Sequence, residues 1–165
     1  MNSAFSIEQE PPGIAIGMPL LIAGLKECFT RETVKGIPAL WHRFVYEGAA
    51  LTQTVQPRVN YGICSPSGTD SFSYLAGVEV RGPGPLPPGF SLISIPQQQY
   101  AVFRHHGHVS ELAEMLGAIW SSRLPASGYR AGRTPGAPQF FERYGEKFDP
   151  VAGRDDIEIW VPIAT

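Results

Sequence analysis

The sequence predicts an α+β protein made of two βαββ halves. Three observations support this fold class. The order strand, helix, strand, strand occurs twice; a segment rich in proline and glycine, RGPGPLPPGF (residues 81–90), lies near the midpoint; and 165 residues with 43% hydrophobic content suffice for one domain with a core. Because proline fixes φ and removes a backbone donor, the segment is predicted to be a connection. We expect a first half of about residues 1–82, a linker at 83–89 and a second half of about residues 90–165.

The first half opens with an apolar, β-rich run over residues 14–30, which predicts extended structure. GIPALWHRFVYEG (residues 36–48) predicts a helix, because its large apolar residues recur at helical spacing and Pro38 is tolerated in a first turn. VNYGICS (residues 59–65) and DSFSYLAGVEV (residues 70–80) predict two strands, since the residues between them suit a turn.

The second half repeats this order. FSLISIPQQQYAVFRHHG (residues 90–107) predicts extended structure, and VSELAEMLGAIWSSRLP (residues 109–125) predicts a helix with Ser110 as its N-cap. APQFFERYGE (residues 137–146) and DDIEIWVPIA (residues 155–164) predict two more strands. A duplicated βαββ plan implies an antiparallel sheet joined edge to edge, with the helices on one face and a ligand groove on the other, because small-molecule sites lie in concave seams.

Composition excludes several functional classes. A formal charge of −2 argues against direct nucleic-acid binding, which needs a basic surface. The N-terminus has no signal-peptide pattern and no apolar run is long enough to span a membrane, so a cytoplasmic protein is expected. Cys28 and Cys64 are expected to be reduced. No cofactor motif is present, and RHHGHV is interpreted as a loop before a helix rather than a metal site, because it lacks a third ligand at suitable spacing.

A set of segments in fixed order carries a family resemblance. IPALWHRF, NYGIC, FSYLAGVEV, QYAVFRHHG, IWSSRLPASGY, PQFFERYGEKFDP and IEIWVPI together resemble the GyrI-like small-molecule-binding family, which is also the effector-binding domain of AraC-type and multidrug-sensing regulators. The resemblance runs from about residue 14 to 163. It implies two βαββ halves with pseudo-twofold symmetry, a ligand groove between them and a stand-alone member without an attached DNA-binding segment.

The resemblance also implies which residues line the groove. Multidrug-sensing relatives hold buried acids that meet lipophilic cations, and the acid-x-aromatic pattern falls on Glu142 with Tyr144 and on Glu158 with Trp160. Relatives often have an acid where this chain has Arg104, and a nearby arginine would weaken a preference for cations. The full set of candidate ligand-binding residues is Glu142, Tyr144, Glu158, Trp160, Tyr61, Tyr74, Phe140 and Trp120.

Strand alternation gives a physical basis for these candidates. Phe140, Glu142 and Tyr144 share one face of their strand. In the last strand, Ile157, Ile159, Val161 and Ile163 form the natural core face against the helices, which leaves Glu158 and Trp160 toward the groove. If the two strands pair as a hairpin, Glu142 and Glu158 are expected to look into one space.

Each candidate has a plain structural alternative. Glu142 could be a surface carboxylate paired with Arg143 or Lys147, and Glu158 could pair with Arg154. Trp41 and Trp120 lie on or beside the apolar stripes of the two predicted helices, where a side chain most often packs in the core. Tyr61 and Tyr74 are placed equally well in the core or in the groove.

These residues support two functional hypotheses. The first is a non-enzymatic module that captures amphipathic, cationic small molecules, because a carboxylate among aromatic rings is desolvated and gains from a cation. The alternative is a GyrI-like hydrolase of reactive electrophiles, with Glu142 as general base and Tyr144 or Tyr61 as assistant. A protein-binding role, with a protein partner or a homodimer, is left open, and no membrane partner is expected.

Overall fold

The structure of the chain, a computed structural model, describes residues 10–164. Within them lie eight strands: β1 (Gly13–Gly17), β2 (Leu20–Thr30), β3 (Asn60–Pro66), β4 (Ser71–Glu79), β5 (Ser91–Ile95), β6 (Gln98–His105), β7 (Phe140–Tyr144) and β8 (Ile157–Pro162). The α-helices are α1 (Ile37–Glu47), α2 (Leu112–Ala118) and the short α3 (Leu124–Ala126). Every segment predicted to be extended or helical contains such an element, and the predicted α+β fold class is confirmed.

The strands form one antiparallel sheet in the order β1-β6-β8-β7-β3-β4-β2-β5. The two halves meet where β3 pairs with β7, with Gly62 opposite Glu142 at the centre of that pairing. The halves also exchange their outer strands: β1 pairs with β6 of the second half, and β5 pairs with β2 of the first. This exchange was not predicted, because periodicity reveals a strand but not its partner.

The connections require the sheet to curl. β1 and β2 are joined only by Met18 and Pro19, which span at most about 11 Å. In a flat sheet, their places in the strand order would lie about 29 Å apart. Pro96 and Gln97 join β5 to β6 across the same gap. The two edges therefore approach one another, although β1 and β5 do not pair and the sheet stays open.

The predicted helix over residues 109–125 is broken into pieces. A 3₁₀ turn (Val109–Glu111) precedes α2, and a π-helical stretch (Ile119–Arg123) separates α2 from α3. The predicted N-cap at Ser110 is wrong. His108 has the extended backbone of a cap, and its ring nitrogen accepts the Ser110 N–H at 3.1 Å.

Each face of the sheet carries its own apolar cluster. The face under the helices includes Phe103, Ile157, Ile159, Val161 and Ile163 packed with Leu40 and Phe44 of α1 and Leu112 and Met115 of α2. The opposite face, inside the curl, includes Tyr61, Ile63, Tyr100 and Phe141 with Trp160 against them. The predicted helix-facing set of β8 is therefore confirmed.

In the described residues, no helix is long and apolar enough to cross a membrane. Cys28 and Cys64 are both free, the first exposed and the second buried.

Candidate functional site

The register of β7 on β8 decides which face each acid occupies. Glu142 lies opposite Ile159, and Arg143 lies opposite Glu158. Paired residues project to the same side of a sheet, so Glu142 lies on the helix-covered face and Glu158 on the other. The expectation that Glu142 and Glu158 look into one space is wrong. Glu142 pairs with Ile159, which belongs to the helix-facing set of β8, whereas Glu158 belongs to the set that faces away from the helices.

Glu142 is a buried carboxylate held by two tyrosines. Its residue is only 7% exposed. The Tyr74 hydroxyl donates to Glu142 Oε1 at 2.5 Å, and the Tyr144 hydroxyl donates to the same oxygen at 2.9 Å. Tyr74 comes from the first half of the chain and Tyr144 from the second, so both halves are needed to build the site.

A tryptophan of α1 completes the hydrogen-bond chain. Trp41 Nε1 donates to the Tyr74 hydroxyl at 3.0 Å, which orients that hydroxyl proton toward Glu142. The Trp41 ring also lies edge-on to Tyr144, with 5.5 Å between centroids, and the Phe148 ring packs against Tyr144 with 4.9 Å between centroids. The carboxylate is thus surrounded by aromatic rings from four separate segments.

Gly62 makes room for this cluster. A Cβ atom built at Gly62 would collide with the Tyr74 hydroxyl oxygen and come within 2.6 Å of Glu142 Oε1. The tyrosine and the glutamate therefore meet directly over a strand position that only glycine can occupy without displacing one of them.

Burial dominates the electrostatics of the cluster. Desolvation raises the pKa of Glu142 above its ordinary value, and the hydrogen bonds from Tyr74 and Tyr144 oppose part of that rise. Burial and the nearby Glu142 charge raise the pKa values of Tyr74, Tyr144 and Cys64 well above their ordinary range. The two tyrosines consequently remain protonated donors.

No positive group compensates Glu142 within residues 10–164. The ion pairs of that part of the chain involve other acids. The structural alternative for Glu142, a surface carboxylate paired with Arg143 or Lys147, is wrong, because Arg143 projects to the opposite face and Lys147 makes no ion pair with it. Both tyrosine donors bond Oε1, and no described side chain donates to Oε2. One carboxylate oxygen therefore keeps its capacity to accept.

Glu158 has a cationic neighbour, whereas Glu142 has none among residues 10–164. Trp160 Nε1 donates to Glu158 Oε1 at 3.1 Å, and Arg143 Nη1 lies 3.7 Å from the same oxygen. Its predicted structural partner was Arg154, but the neighbouring strand supplies Arg143 instead. Arg104 lies opposite Glu158 on β6 and is exposed, so this arginine is on the face away from Glu142.

The structure divides the predicted site residues into two groups. Glu142, Tyr144, Tyr74 and Phe140 lie on the helix-covered face, and Trp120 packs edge-on to Phe140 at 6.3 Å. Tyr61, Glu158 and Trp160 lie on the other face, where Trp160 stacks on Phe141. Tyr61 therefore cannot assist Glu142, which corrects that part of the hydrolase hypothesis.

Sequence reasoning missed two residues that build the Glu142 cluster. Trp41 was assigned to the core, and Gly62 was given no role. The pattern contained a weak signal for Gly62, since glycine inside a strand often marks a close approach. Nothing local showed that Trp41 would reach a strand tyrosine 33 residues further along the chain.

The fold and this buried acid between two halves define a small-molecule effector-binding domain. Over residues 6–163 the chain matches the family Cass2, described as integron-associated effector binding protein. The chain belongs to this family, and the predicted GyrI-like assignment is confirmed.

One curated relative and two solved structures are similar to this chain. The transcriptional regulator BrlR of Pseudomonas aeruginosa is 34% identical over 128 residues, which are 77% of this chain and 46% of the regulator, so the chain spans about half the length of the curated relative it matches. The structure of SAV2435 bound to tetraphenylphosphonium has a TM-score of 0.72 at 21% identity, covering 94% of both chains. The integron cassette protein VCH_CASS2 of Vibrio cholerae has a TM-score of 0.65 at 17% identity, covering 94% of this chain and 97% of its own.

Proposed function

We propose that this chain binds amphipathic organic cations through Glu142 and acts as an effector-binding module. The observation that carries the proposal is a buried carboxylate with aromatic neighbours and no described cation. Such a group is costly to bury, and an isolated charge is normally neutralised or paired. A ligand that brings a positive charge to Glu142 Oε2 removes that cost at the moment of binding.

The aromatic rings favour the same class of ligand. Each ring face adds about 0.5–2 kcal/mol of attraction toward a desolvated cation, and apolar area contributes roughly 25 cal/mol per Å² removed from water. A lipophilic cation gains from the charge, the rings and the buried area together. A neutral molecule of the same shape gains little more than the contribution of its buried apolar area.

In this proposal, the ligand reaches Glu142 by displacing a neighbouring side chain. Two cavities, of about 250 and 170 Å³, are lined by residues other than Glu142. Trp41 and Phe148 are half-buried rings that both contact Tyr144. Displacement of one of these rings opens the carboxylate, and the ligand's own rings take the vacated place.

The relatives support a sensing role. The family is described as effector binding, one structural neighbour is bound to a lipophilic cation, and the relative that is 34% identical is a transcriptional regulator. We infer that binding at Glu142 is the input of a regulatory response, with the movement of Trp41 carried through α1 to the surface.

The test is calorimetric titration of tetraphenylphosphonium into the wild type, Glu142→Gln and Glu158→Gln. Loss of the buried charge is expected to weaken binding at least about tenfold in Glu142→Gln. Glu158→Gln is the matched control and should stay within about twofold, because its acid already has an arginine. Tetraphenylborate has the same shape and the opposite charge, and it should not compete. Equal affinity of the two variants for tetraphenylphosphonium would refute the proposal.

Hydrolysis of an electrophilic substrate is the second candidate, favoured by the raised pKa of Glu142. Tyr144 is in place to assist, since its hydroxyl already donates to the carboxylate. Turnover of an electrophilic cyclopropane that is lost in Glu142→Ala would establish this activity. Tight binding of the same compound without turnover would leave Glu142 a binding residue only.

A further inference from the structure

One cavity of the structure has chemistry opposite to that of the Glu142 cluster. It measures about 250 Å³ and is lined by Trp120, Arg133, Gln139, Gly132, Pro66 and Pro162, together with Ala131. No acidic side chain lines it among the described residues. Its walls come from the π-helical stretch, the loop before β7 and the ends of β3 and β8.

Three side chains that line this cavity can donate hydrogen bonds: Trp120, which is half-buried, and Arg133 and Gln139, which are exposed. The other two tryptophans use their indole N–H groups in hydrogen bonds within the protein: Trp41 donates to Tyr74, and Trp160 donates to Glu158. Within residues 10–164, no acceptor is bonded to Trp120 Nε1 or to the side chains of Arg133 and Gln139. Nor does any described carboxylate pair with Arg133. A site that presents donors and one positive charge is suited to an anion.

The loop that carries Arg133 is fixed on both sides of it. The Gly132 N–H donates to the Pro162 carbonyl at 3.1 Å, and the Thr134 N–H donates to the Gln98 side-chain oxygen at 3.3 Å. Gly132 also lies so close to Ala164 that a Cβ there would come within 2.8 Å of the alanine methyl carbon. The backbone that carries Arg133 is therefore held in place, so ordering of this loop adds little to the entropic cost of binding.

The walls select a flat ligand. Trp120 offers an indole face in a half-buried position, and two prolines supply rigid apolar surfaces. The volume is below the roughly 300 Å³ at which drug-sized pockets begin, so two fused rings with one charged substituent are a suitable size.

We propose that this cavity is a binding site for small planar aromatic carboxylates. The carboxylate meets Arg133, whose fork geometry matches it, and accepts from Trp120 Nε1 or Gln139. The aromatic body lies between Trp120 and the prolines. The site is separate from Glu142, because its lining residues include neither Glu142 nor the two tyrosines that bond it.

Calorimetric titration of 2-naphthoate into the full chain tests this proposal. One site per chain is expected, with affinity that falls as salt is added. Arg133→Gln should weaken binding at least about tenfold, because it removes a charge-assisted hydrogen bond. Arg133→Lys keeps the charge and should lie between that variant and the wild type. Trp120→Phe keeps the ring and removes the N–H, so a smaller loss, of a few fold, is expected.

Two controls separate this site from the Glu142 site. Glu142→Gln should bind 2-naphthoate as the wild type does, and Arg133→Gln should bind tetraphenylphosphonium as the wild type does. The neutral amide 2-naphthamide should bind more weakly than 2-naphthoate. Absence of 2-naphthoate binding, equal affinity of Arg133→Gln and wild type, or equal affinity for the amide would each overturn the proposal. None of these results bears on the cation site.

Discussion

The two acids of the β7–β8 hairpin share a local motif but have different surroundings. In each, the aromatic residue two positions later donates back to the acid: Tyr144 to Glu142, and Trp160 to Glu158. The two acids differ in their other side-chain neighbour. Glu158 has Arg143 at 3.7 Å, whereas Glu142 has the neutral Tyr74 hydroxyl at 2.5 Å. The comparison teaches that the motif supplies one hydrogen bond, and that residues from other strands decide whether the charge is compensated.

Burial separates the two acids further. Glu142 lies under α1 with its Oε2 available, and Glu158 lies half-buried on the inner face of the curled sheet with its charge offset. Only Glu142 has a negative charge that no described cation offsets and that a ligand can neutralise. Changes that alter either neighbourhood therefore test the contrast directly.

The largest effect is expected from Gly62→Ala. The added methyl group would meet the Tyr74 hydroxyl and Glu142 Oε1, so one of them must move. Overpacking of this kind costs about 1–3 kcal/mol of unfolding free energy, and tetraphenylphosphonium binding should be lost with it. The measurements are denaturant unfolding and calorimetry. Gly117→Ala is the matched control, because nothing lies within 4 Å of a Cβ there, and it should be neutral or slightly stabilising.

Tyr74→Phe is expected to have the next largest effect. The change removes one donor from Glu142 and leaves Trp41 Nε1 without its acceptor, at a cost of about 1–3 kcal/mol for the stranded polar groups. It should also raise the pKa of Glu142 further, because a hydrogen bond to the ionised form is lost. Carboxyl chemical shifts followed against pH measure this change. An unaltered titration of Glu142 would show that Tyr74 does not stabilise the ionised carboxylate.

The pH dependence of stability should distinguish the acids. The folded-state pKa of Glu142 lies above its ordinary value of 4.5, so the folded state holds its proton to higher pH than the unfolded chain. The wild type should therefore lose stability relative to Glu142→Gln as pH rises from about 4.5 through the raised pKa. Unfolding free energies of the two proteins, measured side by side at several pH values, would reveal this difference in pH dependence. Curves for the two proteins that keep a constant separation would contradict the raised pKa.

Cation affinity should follow the same titration. Tetraphenylphosphonium binds the ionised carboxylate, so its affinity should fall as pH drops through the raised pKa of Glu142. In Glu158→Gln the same dependence should persist. A pH-independent affinity in the wild type would mean that the ligand does not use this charge.

The smallest effect is expected from Arg143→Gln. The change removes the partner of Glu158 at a partly exposed pair, which is worth about 0–1 kcal/mol of unfolding free energy. Binding of tetraphenylphosphonium at Glu142 should be unchanged, because Arg143 lies on the opposite face. A large loss of affinity would show that the two faces are coupled.

Local patterns predicted much of this protein. Helical spacing in GIPALWHRFVYEG and alternation in the strands located α1 and the strands, and they showed that Phe140, Glu142 and Tyr144 share a face. The helix over residues 109–125 was found, but its π-helical interruption and its cap were not. Those features depend on which backbone hydrogen bonds form locally, and one residue pattern is compatible with several such arrangements.

The sequence by itself determined the order of elements, the side of each strand on which a residue projects, and the presence of an acid among aromatic rings. These properties follow from local covalent geometry and from apolar periodicity. The tertiary structure alone decided that Glu142 faces the helices and Glu158 does not, that Tyr74 and Gly62 reach Glu142 from the other half, and that the outer strands are exchanged. Strand register is a non-local choice, and a shift of one residue moves every side chain to the other face, so no reading of either strand alone could fix it.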